Sequence, residues 1–123
     1  MTAQKVLKQG KGWRLGWDPT AIEFVGLVGT DEWAIELTAA EFQDFCRLLQ
    51  QLAETMTAMA SELMPEERIT CEAESEWVWL AVEGYPHAYG LSVIIHSGRR
   101  AEGYWPPAAV PGLLAATQTW SVF

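Results

Sequence analysis

The chain has 123 residues, half of them hydrophobic and a fifth charged, with a formal net charge of −8. This composition excludes the disordered, fibrous and disulfide-stapled classes, because a chain of this size removes roughly two thirds of its unfolded surface from water and can hold a core without metal or cross-links. Nowhere do apolar residues run long enough to span a bilayer, and residues 1–12 lack the apolar stretch of a signal peptide, so neither export nor membrane insertion is expected.

Residues 5–9 can add an edge strand to the first clear extended run, residues 12–17, where Trp13, Leu15 and Trp17 share one face in the alternation of a half-buried strand. Asp18-Pro19 turns the chain into a second run at residues 23–28. After Gly29-Thr30-Asp31, residues 32–37 repeat the alternation with Trp33, Ile35 and Leu37. At Thr38-Ala39-Ala40-Glu41 the pattern changes to a capping box, whose hydroxyl and carboxylate satisfy two orphaned N–H groups and start a helix. Apolar residues then recur with helical spacing at Phe42, Phe45, Cys46, Leu49, Leu52, Ala53, Met56, Met59, Ala60 and Leu63, until Pro65 ends the run. A helix over residues 38–64 would be about 40 Å long, whereas a globule of this size has a radius of gyration of about 14 Å. Such a helix has to cross the whole domain or carry its far end to a second copy. Met56, Met59 and Leu63 are the candidates for that self-association contact.

Four further extended runs follow, at residues 69–74, 76–83, 87–96 and 99–105, and the hairpin-length connections between them predict antiparallel neighbours. Residues 77–82 are apolar on both faces, which predicts a central strand covered on both sides. Pro106-Pro107 closes the last strand, and residues 108–119 predict a second, shorter helix opening near Pro111. The expected architecture is one α+β domain over residues 1–123: an antiparallel, strongly curved sheet of seven or eight strands, the long helix across one face, and a short C-terminal helix. Its two halves each read as four strands plus one helix, and a half-open β-barrel with a helix is the structural alternative.

Charge is distributed unevenly. Lys5, Lys8, Lys11 and Arg14 put +4 into the first fourteen residues, residues 15–98 sum to −13, and Arg99, Arg100 and Glu102 return +1. A basic edge on an acidic body follows. Single-stranded nucleic acid is held by positive charge along its backbone and by aromatic faces against its bases, and two segments interleave those residue types: Lys8, Lys11, Trp13 and Arg14 with Trp17, and Arg99, Arg100 and Tyr104 with Trp105. The competing reading places the indoles in the core beneath the long helix and the basic groups in water, with the acidic body repelling phosphates.

No catalytic constellation, metal site or cofactor site is expected. His87 and His96 fall at opposite ends of one strand, and Glu72, Glu74 and Glu76 have the spacing of a wet strand face rather than a calcium loop. Gly90-Leu91-Ser92-Val93-Ile94 lacks the second glycine of a nucleophile elbow. Cys46 and Cys71, each in an apolar run, read as buried free thiols in a reducing cytoplasm.

The segments Gly12-Trp13-Arg14-Leu15-Gly16-Trp17, Trp33-Ala34-Ile35-Glu36-Leu37-Thr38, Phe45-Cys46-Arg47-Leu48 and Glu83-Gly84-Tyr85-Pro86 resemble a small cyanobacterial family known only as a domain of unknown function, of the DUF 1818 type. The resemblance covers nearly the whole chain. It implies a fold similar to the single-stranded-DNA-binding transcriptional regulators of the Whirly and positive-cofactor type, which are built from β4-α repeats. The Lys-Gly-Lys-Ala-Ala-Leu signature of Whirly proteins is absent, Lys8-Gln9-Gly10-Lys11-Gly12 being only distantly similar. The function expected is a non-enzymatic binding protein that contacts another protein or a second copy of itself, without a membrane. A single-stranded nucleic-acid-binding regulator and a small-molecule site in the curved sheet are the alternatives.

Overall fold

The computed structural model describes residues 4–119. Its elements follow in the order β1 (Val6–Gly10), β2 (Trp13–Trp17), β3 (Gly26–Gly29), β4 (Ala34–Leu37), α1 (Ala39–Met59), β5 (Ile69–Glu74), β6 (Val78–Tyr85), β7 (Ala88–Ile95), β8 (Glu102–Trp105) and α2 (Val110–Gln118). Both halves are thus four strands and a helix, and every strand pairs antiparallel with its sequence neighbour. The eight strands divide, however, between two four-stranded sheets, β1-β2-β3-β4 and β5-β6-β7-β8, rather than forming one continuous sheet or closing into a barrel. The division falls where α1 interrupts the run of hairpins. Strands joined by short turns pair with each other, whereas the 31-residue gap between β4 and β5 carries the chain away from the first sheet before pairing resumes.

Helix α1 begins as its capping box dictates. The Thr38 amide donates to Glu41 Oε1 at 2.9 Å, and the Glu41 amide donates to Thr38 Oγ1 at 3.2 Å. One stripe of the helix, Phe42, Phe45, Leu48, Leu49, Leu52 and Met56, is fully buried between the sheets' inner faces. Each such side chain contributes roughly 1.5–3 kcal/mol on leaving water. The helix stops at Met59, five residues short of Met64. Beyond Met56 its residues are mostly exposed, so the tertiary burial that sustains a helix ends there. The Ala60 amide donates to the Thr57 carbonyl at 3.2 Å and that of Glu62 to Met59 at 2.9 Å, which tightens the last residues into turns.

One core draws on both halves. Leu15, Val28 and Leu37 of the first sheet meet Leu80, Val82, Leu91 and Val93 of the second across α1, and Leu113 of α2 closes the cluster. The principal bolt between the sheets is Trp105, at the end of β8. It is fully buried, donates its indole N–H to the Gly29 carbonyl of β3 at 2.8 Å, and packs on Phe45 and Trp33 with ring centroids 5.6 Å and 4.8 Å away. Trp33, in the β3–β4 turn, packs against Gly103 of β8, where any side chain would overlap the indole. Among the described residues no helix is long and apolar enough to cross a membrane.

Candidate binding face

Alternation along each strand of the second sheet sends half of its residues away from the core. In register, Glu72, Ala81, Ser92 and Tyr104 form one row of the outward face, and Glu74, Trp79, Ile94 and Glu102 the next. Glu83 pairs with Gly90 one row further along, and His96 and Trp77 extend the other end, the His96 amide donating to the Trp77 carbonyl at 2.8 Å. Trp77 is 39% exposed and Tyr104 52% exposed, so large aromatic surface stands in water here instead of in the core. The Tyr104 ring lies across Gly90, which leaves room for it by lacking a side chain.

Carboxylates frame this aromatic strip. Glu72 accepts from the Trp79 indole N–H at 3.1 Å, and Glu74 contacts His96 Nε2 at 2.7 Å. Glu83 sits 3.9 Å from the Arg68 guanidinium, which also lies over the Tyr85 ring, and Glu102 is exposed beside Tyr104. Past the β8 edge, Tyr104 and Pro106 share an open groove of about 490 Å³ with Trp33, Asp31 and Glu32, so the negative rim continues beyond the sheet. The arrangement offers π faces and negative potential together. Phosphates are repelled by such a field, whereas guanidinium and ammonium groups are drawn to both components. The expectation that β6 is covered on both faces is corrected accordingly. The strand is interior to its sheet and its Val78, Leu80 and Val82 face the core, but Trp79 belongs to the outward face and is only half-buried.

The residues singled out from the sequence are dispersed. Trp13 is wedged between Gly10 of β1 and Gly112 of α2, Trp17 packs on Phe42 with centroids 5.2 Å apart, and Trp105 is the core bolt; these three indoles sit against helix or core rather than forming a stacking platform. Arg14 is committed to the β3–β4 turn, donating to the carbonyls of Thr30 at 2.6 Å and Trp33 at 2.9 Å. Arg99 lies over the Phe24 ring and donates to the Glu36 carbonyl and the buried Glu41 carboxylate, so it fastens the β7–β8 turn to the start of α1. Lys8 donates to Thr119 at 2.9 Å, whereas Lys11 and Arg100 are exposed, Arg100 at a positive φ of 50°. Of the self-association candidates, Met56 is a core residue, and Met59 and Leu63 are half-buried. Trp77 and Trp79 alternate in sequence with the core residues Val78 and Leu80, which places both indoles opposite the core.

Burial pushes the Cys46 thiol up to about 12, which leaves it neutral and unreactive. Among the described residues no three His, Cys, Asp or Glu side chains converge as a metal site.

Residues 8–120 match the profile of a domain of unknown function, DUF1818, and the chain belongs to that family. It is also similar to a crystal structure of a protein of unknown function from Prochlorococcus sp. NATL2A, described as a DUF155 family member. The two share 28% identity and superpose with a TM-score of 0.88 over 93% of this chain and 97% of the other. No curated protein matches.

Proposed function

We propose that this DUF1818 family member is a non-enzymatic interaction protein that receives a basic, extended segment of another protein on the outward face of its second sheet. The observation that carries this reading is the exposure of Trp77 and Tyr104 within a frame of Glu72, Glu74, Glu83 and Glu102. Arginine and lysine side chains gain about 0.5–1 kcal/mol from each exposed aromatic face and a similar amount from each exposed carboxylate.

Single-stranded nucleic acid is the reading that the resemblance to Whirly-type regulators favours, and the lysines of β1 support it. It lacks a matching aromatic platform, because the indoles beside those lysines are packed inward.

One titration separates the two. Fluorescence anisotropy is recorded with a labelled octapeptide alternating arginine with valine, with its glutamate counterpart, and with a labelled oligothymidylate, at low and moderate salt. The arginine peptide is expected to bind and to lose about two- to fivefold in affinity in Tyr104→Ala and more in Glu102→Lys. Oligothymidylate binding without arginine-peptide binding would replace this proposal with the nucleic-acid reading.

A further inference from the structure

The outward face of the first sheet carries a different feature. Register places Leu7, Gly16 and Leu27 side by side across β1, β2 and β3. Because Gly16 lacks a side chain, the middle of this row is a hollow. The loop between β2 and β3 folds over it, with Ala21, Phe24 and Val25 lining a cleft of about 270 Å³. Small-molecule sites that enclose a drug-sized ligand span about 300–1,000 Å³, so this hollow is sized for one or two side chains instead. Leu7, 54% exposed, and Val6 give it an apolar lip, while Lys5, Arg14, Asp18 and Glu36 complete the lining with two charges of each sign.

The cleft lies beside an open edge. Among the described strands β1 pairs with β2 alone, so the backbone groups on its far side face outward. Lys5, Lys8 and Lys11 recur along it, and residues 4–14 contain no carboxylate. Asp18 lies beside Lys5 at the start of the strand and Lys8 donates to Thr119, so the exposed positive charge toward the far end of this edge is that of Lys11. A second copy offering its own β1 would bring lysines against lysines.

We infer that β1 accepts an acidic extended segment of a partner protein by strand addition, with one apolar side chain of that segment seated in the cleft over Gly16. Backbone pairing supplies the general affinity of such a complex and the pocket its selectivity. This site is separate from the outward face of the second sheet and does not depend on the function proposed for it.

The probe is a fluorescein-labelled octapeptide alternating glutamate with leucine, followed by anisotropy, with amide exchange by NMR in parallel. Binding is expected to slow exchange of outward amides within Val6–Gly10 by at least about tenfold. In Gly16→Val the added methyls occupy the hollow, and affinity is expected to fall about tenfold. A Cβ at Gly16 would lie at ordinary contact distances, 3.4 Å from Leu7 and 3.5 Å from Leu27, so Gly16→Ala stays folded and gives a smaller loss in the same direction. Lys11→Glu should weaken binding and flatten its salt dependence, a peptide with serine in place of leucine should not bind, and Tyr104→Ala should change nothing. The inference is overturned by an absence of binding, by protection outside β1, by equal affinity in Gly16→Val and wild type, or by sedimentation showing that copies of this chain occupy the edge.

Discussion

Replacing Trp105 by phenylalanine tests whether two sheets and one helix form a single cooperative unit. The substitution keeps an aromatic ring against Phe45 and Trp33 but removes the indole N–H that reaches the Gly29 carbonyl at 2.8 Å, across 76 residues of sequence. Losing one neutral hydrogen bond at a buried carbonyl costs about 1 kcal/mol. The smaller ring leaves a void of about two methylene groups in a site that is fully buried, which costs a further 1–2 kcal/mol or so. The expected sum is about 2–3 kcal/mol, read as a fall of about 1–2 M in the urea midpoint with an unchanged slope. Far-UV circular dichroism reports both helices and all strands, so coincidence with tryptophan fluorescence checks cooperativity. A midpoint shift worth under about 0.5 kcal/mol would refute the idea that this contact bolts the sheets together. So would separate transitions for the two halves.

Two further outcomes follow from individual side chains. Arg99→Ala should destabilise the fold by about 1–3 kcal/mol, because Glu41 is only 2% exposed and loses its guanidinium partner; the figure is held below that of a wholly buried pair since the Arg99 side chain is 32% exposed and the Thr38 amide remains bonded to Glu41. Arg100→Ala, at an exposed position, should fall within about 0.5 kcal/mol of wild type in the same chemical denaturation, and equal effects would remove Arg99 from its structural role. Cys46 makes alkaline stability measurable. The thiol has an ordinary value of 9.0 and is raised to about 12 in the fold, so between those values the unfolded chain releases a proton that the native chain retains. Stability should therefore fall as pH rises from 9.0 toward 12, by at most about 1.4 kcal/mol per pH unit from this group, and Cys46→Val should remove that slope.

Much of this molecule is local information. The capping box at Thr38 and Glu41 needs only four residues to define a helix start, and the alternation in Trp13, Leu15 and Trp17 or in Trp33, Ile35 and Leu37 needs only a strand's length to define its inner face. Short connections in each half dictated antiparallel neighbours. What local pattern cannot carry is where an element meets others distant in the chain. The amphipathic stripe continues to Leu63, yet the helix ends at Met59 because the sheets that bury it extend no further. An arginine beside a tryptophan looks the same in sequence whether it faces water or, as Arg99 does, reaches a carboxylate 58 residues away. The division into two sheets, the inward packing of Trp13, Trp17 and Trp105, and the acidic aromatic face around Tyr104 all arise from long-range contacts. Periodicity determines which residues share a side of an element, but only packing decides which of those sides is left for a partner.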